Sequence, residues 1–197
     1  MRVFFSSDHH FFHSNIIKYC ERPYRDSDHM NSEMIRLWNE VVGPEDFVFY
    51  LGDLSAGLKG REEELRDVIH KLNGSKVLIR GNHDHQEDSW YLDSGFLSVF
   101  PHINLGGVLL THYPLQNLVQ QVDDLSILGE VEFILHGHVH RKDTPEFESH
   151  FNVAAERHGF KPVEVLSCVP EPFLQKFFLN FNKILTDKNG GTVNLFE

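Results

Sequence analysis

Aspartate, asparagine and histidine residues recur directly after short apolar runs along this chain of 197 residues. Asp8 and His10 follow RVFFSS, and Asp53 follows FVFYLG. The runs KVLIRG, GVLLT and EFIL precede Asn82, His83, Asp84, His112, His136, His138 and His140. In open α/β sheets, ligands bind beyond the carboxyl ends of strands, so this order predicts one site built from five strand ends.

The side chains of this set offer carboxylate oxygen, amide oxygen and imidazole nitrogen, and no thiolate. Taken singly, Asp8 with His10 is typical of a solvated turn, and His112 of a hydrogen-bonded histidine. Together, such mixed donors suit Mn²⁺, Fe or Zn²⁺ and do not suit a closed structural zinc site. The set contains more ligand side chains than one catalytic ion can bind. Two ions about 3.5–4 Å apart, bridged by Asp53, account for the number, and this arrangement hydrolyses phosphate esters.

The elements that must position these side chains alternate between strand and helix. Seven runs rich in Val, Ile and Phe predict buried strands: RVFF, FVFYL, KVLI, GVLLT, EFILH, FNVAA and PVEVL. One helix is predicted from Glu33, with Ser32 as N-cap and Gly43 as its stop, and a second ends before Gly74. The alternation predicts an α/β domain whose strands are covered on both faces, and periodicity leaves open whether there is one sheet or two.

The chain contains no internal repeat and no Gly/Ser-rich linker, so a single domain is expected over residues 1–197. Its end, at about 171–197, is predicted to be an amphipathic helix and a tail. The apolar stripe of that helix runs from Phe173 to Leu185. Packing against the domain is the expected role of this stripe, and a dimer contact is the alternative, so the chain is expected to be a monomer or homodimer.

A formal net charge of −11 argues against tight, sequence-independent binding of long nucleic acid, and a small phosphorylated substrate is the expected partner. No segment is long and apolar enough to cross a bilayer, so no membrane partner is expected. The start MRVFF is too short for a secretory signal, which favours a cytoplasmic location. Cys20 and Cys168 have no metal-ligand spacing and are interpreted as reduced thiols without a function.

The ordered blocks DHH, GD, GNHD, H and GHVH over residues 8–140 resemble the signature of the calcineurin-like metallophosphoesterases. The resemblance implies an αββα sandwich, in which two stacked mixed β-sheets are flanked by helices. It also implies that the first ion is held by Asp8, His10 and His140, and the second by Asn82, His112 and His138, with Asp53 between them. Two divalent ions are the implied cofactors; Mn²⁺ is the ion we expect, with Fe, Zn²⁺, Ni²⁺ or Co²⁺ as alternatives.

The resemblance further implies a phosphoesterase reaction in which a metal-bridging hydroxide attacks phosphorus. His83 would act as the general acid for the leaving alkoxide, and Asp84 would orient its ring. The expected substrate is a phosphodiester or nucleotide. The alternatives are a phosphomonoesterase acting on a small phosphorylated metabolite and an inactive scaffold with the same fold.

Residues close to the first block extend these predictions. His9 is one position out of phase with His10 and is expected to point to the opposite side. His13 and Asn15 are expected to face the substrate, unless Ser14 or Asn15 caps the helix that starts there. Arg22 and Arg25 would meet the second charge of a monoester substrate, with solvated side chains as the alternative. The insert at 115–131 is expected to shape the rim of the pocket.

Overall fold

Two mixed β-sheets form the centre of the computed structural model, which describes residues 1–120, 130–142 and 149–186. The first sheet has the order β4-β3-β2-β1-β9, and the second has the order β5-β6-β7-β8. β1 to β4 are parallel and β9 is antiparallel to β1; β6 to β8 are parallel and β5 is antiparallel to β6. The strands are β1 (Val3–Ser6), β2 (Phe47–Tyr50), β3 (Ser75–Ile79), β4 (Phe96–Phe100), β5 (His102–Leu105), β6 (Val108–Thr111), β7 (Phe133–His136), β8 (His150–Asn152) and β9 (Val163–Glu164).

Helices flank the two sheets. In the described part of the chain they are α1 (Ser14–Tyr19), α2 (Ser27–Val41), α3 (Glu62–Lys71), α4 (Asp88–Asp93), α5 (Leu115–Leu118), α6 (Val165–Cys168) and α7 (Glu171–Thr186), with a 3₁₀ turn at Ala155–His158. Among these described helices, none has the length and apolar character that crossing a membrane requires.

The alternation of apolar side chains along the strands separates two cores. Phe5 and Phe49 face the layer between the sheets, where they join Leu110 and Leu135 of the second sheet. Their neighbours Phe4, Val48 and Tyr50 face the opposite way, toward Met34 and Trp38 of α2. On the outer face of the second sheet, Leu109 and Ile134 pack against Leu118 of α5. Because strand side chains alternate between faces, one run of apolar residues serves both layers, and the predicted αββα sandwich is confirmed.

The C-terminal helix α7 packs into the layer between the sheets. Phe177 and Phe181 are almost fully buried, and their ring centroids lie 5.9 Å from Phe5 and 4.9 Å from Phe47. Burying such a side chain contributes about 1.5–3 kcal/mol relative to leaving it exposed. The predicted packing role is confirmed for this part of the stripe. The side chains of residues 184–186 and the tail at 187–197 lie outside the described residues.

Several local predictions were wrong. α2 begins at Ser27, six residues before the predicted start, because Asp26 caps it by accepting a hydrogen bond from the backbone N–H of His29 at 2.8 Å. Ser32 therefore lies inside the helix. α1 has His13 at its N-cap position with no side-chain cap hydrogen bond, so neither Ser14 nor Asn15 caps it. The runs FNVAA and PVEVL form only short strands, and β4 and β5 were not predicted at all.

Candidate metal centre

The loops after β1, β2 and β7 carry five candidate ligands with left-handed backbone conformations. The φ angles are +59° for Asp8, +51° for His10, +57° for Asp53, +71° for His138 and +51° for His140. Non-glycine residues rarely adopt this region, at a cost of about 1–3 kcal/mol each, and they persist only where surrounding contacts hold them. Such strain concentrates at functional sites. Here it occurs at the residues whose side chains form the candidate metal centre.

Four groups of three side chains place their ligand atoms within 4.8 Å of one another in the described residues, close enough to hold an ion. They are Asp8, His10 and His140; His10, Asp53 and His83; Asp53, His112 and His138; and Cys20, His140 and Glu156. The first set (Asp8, His10, His140) is called the first cluster below. The second cluster consists of Asp53, His112 and His138, together with Asn82 beside them.

Two members of the first cluster, Asp8 and His10, are buried, and His140 is partly exposed. His10 is 2% exposed, and neither of its ring nitrogens has a hydrogen-bond partner among the described residues. Burial lowers its pKa to about 2, so the ring is neutral with a free lone pair. Nε2 of His140 lies 3.8 Å from Oδ1 of Asp8. A buried imidazole without a partner is costly unless something binds it, and a cation between these three side chains meets that need.

In the second cluster three donor atoms surround Nε2 of His112. Oδ2 of Asp53 lies at 3.4 Å, Oδ1 of Asn82 at 3.2 Å and Nδ1 of His138 at 3.2 Å. The other ring nitrogen of His112 donates to the carbonyl oxygen of Leu51 at 2.8 Å. Since a carbonyl only accepts, Nδ1 carries a proton, and Nε2 is the nitrogen that faces the cluster.

Asp53 of the second cluster also lies close to His10 of the first cluster. Its Oδ2 is 3.5 Å from Nε2 of His10 and 3.4 Å from Nε2 of His112, so one carboxylate oxygen reaches both. Its Oδ1 accepts a hydrogen bond from the backbone N–H of His83 at 2.8 Å, which fixes the carboxylate. The candidate clusters are therefore consistent with a dimetal site.

The pKa values of two histidines indicate that the surroundings of the centre favour positive charge. Burial lowers the pKa of His112, but the hydrogen bond with Asp53 and the charges of Asp8 and Asp53 outweigh it, and the pKa is about 9. In the same way, burial lowers the pKa of His140 while contacts with Cys20 and Glu156 raise it to about 10. Carboxylates that draw protons onto two imidazoles also favour a divalent cation.

Two glycines permit the carboxylates to reach these positions. A Cβ atom on Gly137 would lie 2.2 Å from Oδ2 of Asp8, and a Cβ atom on Gly81 would lie 2.3 Å from Oδ1 of Asp53. Both distances are far below a van der Waals contact. The glycines of GNHD and HGHVH are therefore required by the close approach of the backbone to the two carboxylates.

His83 lies at the edge of the centre, and Asp84 lies beneath it. The ring of His83 is partly exposed, and its centroid is 5.2 Å from that of His10. The expectation that Asp84 orients this ring is not met. The carboxylate of Asp84 accepts backbone N–H groups from Asp53 and Leu54 at 2.8 and 3.1 Å, and from Gly81 at 2.8 Å. Asp84 therefore ties the loop of GNHD to the loop of GD.

Arg22 and Glu156 form a buried network that sequence reasoning missed. The guanidinium of Arg22 donates to the carbonyl oxygens of His9 and Asp8 at 2.5 and 2.6 Å. It also donates to Oε1 of Glu156 at 2.5 Å, and the same oxygen lies 2.9 Å from Nδ1 of His140. The expected solvated or substrate-facing position of Arg22 is wrong, because its side chain is fully buried. An acid that holds Nδ1–H orients Nε2 of the same ring toward the centre.

Other residues near the first block lie away from this network. The ring of His9 packs on Phe11 and Trp38, and its Nδ1 is 2.9 Å from the hydroxyl of Tyr50, so the prediction that it points to the side opposite His10 is confirmed. Arg25 is exposed and pairs with its neighbour Asp26.

A cavity of about 800 Å³ opens beside the centre. His13 lines it, together with His10, His83, His138 and His140. Asn15 is exposed and is not among the lining residues, and the same holds for Arg25. Of the insert at 115–131, Asn117 lines the cavity, and residues 121–129 lie outside the described residues.

Comparisons with known proteins agree with this geometry. Residues 1–139 match the family described as calcineurin-like phosphoesterase. The uncharacterized protein MJ1445 of Methanocaldococcus jannaschii is 34% identical over 172 residues, covering 83% of this chain and 87% of the relative. The Gene 66 protein of Mycobacterium phage D29 is 32% identical over 162 residues, covering 71% of this chain and 79% of the relative. The crystal structure of AQ665 from Aquifex aeolicus, of unknown function, has a TM-score of 0.66 at 25% identity and covers 84% of this chain and 96% of that one.

Proposed function

Since this chain belongs to the calcineurin-like phosphoesterase family, we propose that it is a dinuclear-metal-dependent hydrolase of phosphodiesters or nucleotides. The observation that carries the proposal is the position of Asp53, whose Oδ2 lies 3.5 Å from His10 and 3.4 Å from His112. A carboxylate that reaches two groups of imidazoles at once suits two ions better than one.

In the proposed centre, the first ion is held by Asp8, His10 and His140, and the second by Asn82, His112 and His138. Asp53 contributes to both. Once bound, two divalent ions would lower the pKa of a coordinated water toward ~7 and offset the charge of the phosphate oxygens. Mn²⁺ is the ion we propose, because oxygen and imidazole donors without a thiolate suit it; Fe, Zn²⁺, Ni²⁺ and Co²⁺ are the alternatives.

His83 is the proposed general acid. It lines the cavity of about 800 Å³ and a second cavity of about 290 Å³, so the oxygen of a leaving alcohol in either cavity comes close to its ring. Its backbone N–H is fixed by Asp53, and the loop that carries it is fixed by Asp84. His13, which also lines the larger cavity, is the proposed substrate contact.

The position of Arg22 removes one argument for a monoester substrate. A monoester carries a second negative charge, and Arg22, which was expected to meet it, is buried and paired with Glu156. Two cavities that share His83 also leave room for both alcohol halves of a diester. Phosphomonoesterase activity on a small phosphorylated metabolite remains the second candidate. The complete set of candidate ligands, together with His83, supports an enzyme over an inactive scaffold.

Hydrolysis of bis-p-nitrophenyl phosphate tests this proposal. Protein treated with a chelator and then dialysed is expected to be inactive and to regain activity with Mn²⁺. Asp53→Asn is expected to abolish that recovery, whereas Asp67→Asn, at an exposed position of α3, leaves it unchanged. Turnover that survives exhaustive chelation, or no turnover with any of the five metals, contradicts the proposal.

A further inference from the structure

The larger cavity has a buried end and an exposed end of different character. Its buried end contains His10, His138 and His140 of the candidate metal centre. Its exposed end is lined by three cations, Lys18, Arg141 and Lys142, and by one carboxylate, Glu21. Three cations around one opening are notable in a chain whose formal net charge is −11.

These cations are available to a ligand. Lys18 and Lys142 are exposed, and neither has a carboxylate within 4.0 Å among the described residues. Arg141 lies 3.9 Å from Glu21, but the two side chains are 48% and 88% exposed. Such a long, solvated ion pair contributes little, so the guanidinium can turn to a stronger anion at small cost.

An aromatic ring stands beside the cations. Tyr19 follows Lys18 in the last turn of α1 and is 73% exposed, and its ring centroid lies 6.3 Å from that of His13. A single exposed tyrosine is ordinary. A tyrosine on the wall of a cavity between an imidazole and lysines offers a face on which a nucleobase can stack.

The distances along α1 suit a ligand of nucleotide length. Each helical residue advances ~1.5 Å, so Lys18 lies roughly 7 Å beyond His13 along the helix axis. One nucleoside spans a comparable length between its two phosphate positions. The smaller cavity of about 290 Å³, lined by Gly57, Lys59 and His85, begins on the other side of His83 and takes the second alcohol.

We propose that the substrate is a nucleotide phosphodiester that carries a second phosphate, one nucleoside away from the bond that is cut. The second phosphate contacts Lys18, Arg141 and Lys142, and the intervening base stacks on Tyr19. The proposal rests on the function proposed above. The reaction remains a hydrolysis: the oxygen of water bonds to phosphorus, the P–O bond to the leaving alcohol breaks, and that alcohol takes up a proton.

The test compares two dinucleotides that differ only in a terminal phosphate, pApA and ApA, with the Mn²⁺-loaded protein. The wild-type ratio of kcat/KM for pApA over ApA is expected to be about tenfold, because several exposed cations each contribute a small amount. The ratio is expected to fall as salt is raised from 0.05 to about 0.5 M. Lys18→Ala and Arg141→Ala lower the ratio toward one, and Lys18→Glu lowers it further.

The control is Lys71→Ala, which removes an exposed lysine of α3 outside the cavity and is expected to leave the ratio at its wild-type value. Within each variant, turnover of ApA reports whether the protein is folded and active. A wild-type ratio near one, or a ratio that Lys18→Glu leaves unchanged, overturns this inference. Failure of the proposed function looks different, because then neither dinucleotide nor bis-p-nitrophenyl phosphate is hydrolysed with any metal.

Discussion

Replacement of Glu156 tests the first cluster without removing any of its proposed ligands. Oε1 of Glu156 lies 2.5 Å from Nη2 of Arg22, 2.9 Å from Nε of Arg22 and 2.9 Å from Nδ1 of His140. Its Oε2 is buried and has no hydrogen-bond partner among the described residues. Oε1 therefore makes all the hydrogen bonds of this side chain, and two variants can be compared, one that removes this oxygen and one that keeps it.

Glu156→Ala removes that oxygen and leaves the buried guanidinium of Arg22 without its carboxylate. Breaking a buried ion pair in this way costs about 3–5 kcal/mol of the free energy of unfolding. Losing a carboxylate that orients a ligating histidine costs about 10–100-fold in metal affinity. Glu156→Gln keeps an oxygen at Oε1 and puts its NH₂ where Oε2 has no partner. We expect this variant to lose about 1–2 kcal/mol of the free energy of unfolding, because only the charge is removed. Its affinity for metal is expected to fall less than about tenfold.

The assay is a titration of metal-free protein with Mn²⁺, followed by the free-ion signal in electron paramagnetic resonance, together with urea unfolding of the same samples. Wild-type protein is expected to bind two ions. Glu156→Ala is expected to weaken one of them selectively, because the second cluster makes no contact with Glu156. Equal weakening of both ions, or wild-type affinity in Glu156→Ala, would refute the reasoning.

Further predictions concern the leaving group, the backbone and pH. His83→Asn is expected to reduce kcat about 10²–10⁴-fold on an unactivated diester and less than about tenfold on a p-nitrophenyl ester, which needs no proton; equal losses in steady-state kinetics would assign His83 another role. Gly137→Ala would place a Cβ atom 2.2 Å from a carboxylate oxygen of the first cluster, so we expect loss of one Mn²⁺ in the same titration. The control Gly43→Ala, whose Cβ atom would lie 3.4 Å from its nearest neighbour, is expected to keep both ions. Two tightly bound ions in Gly137→Ala would contradict this prediction. Burial raises the pKa of Asp46, but the backbone N–H groups of Arg2 and Gly43 and the Arg2 guanidinium outweigh it and lower the pKa to about 2. The stabilisation from this carboxylate is therefore present above its ordinary pKa of 3.8 and lost as the pH falls toward 2. In urea unfolding, the free energy of unfolding of wild type should exceed that of Asp46→Asn by less and less as the pH falls through this range. A constant difference would contradict the prediction.

The buried strands and the candidate ligands were predictable because both carry strong local signals. β1, β2 and β3 consist mostly of apolar residues, and each is followed within three residues by a carboxylate or amide side chain. β4 and β5 carry no such signal. Ser98, His102 and Asn104 interrupt them, since both strands lie at the edges of their sheets and are partly exposed. Strands that are covered on both faces read as continuous apolar runs, whereas strands that are partly exposed do not.

The network of Arg22 and Glu156 could not be predicted because its two members lie 134 residues apart. The single available hint was a charge in an apolar context: Glu156 follows Val153, Ala154 and Ala155, and a buried acid requires a partner. Nothing in the sequence names that partner.

The left-handed backbone of the ligand loops was equally invisible to sequence reasoning. Aspartate and histidine adopt positive φ angles uncommonly, and tertiary contacts decide which of them do so. Here one such contact is the pair of hydrogen bonds that Asp8 accepts from the backbone N–H of His138, at 3.1 and 3.0 Å. These two residues follow strands of different sheets, so the contact forms only once the sheets have stacked.

The most direct test of the dimetal centre is anomalous diffraction from crystals of the protein soaked in Mn²⁺. We expect two peaks about 3.5–4 Å apart, one among Asp8, His10 and His140 and the other among Asn82, His112 and His138, with Oδ2 of Asp53 coordinating both. A single peak remote from Asp53, or no peak at saturating Mn²⁺, would contradict the account.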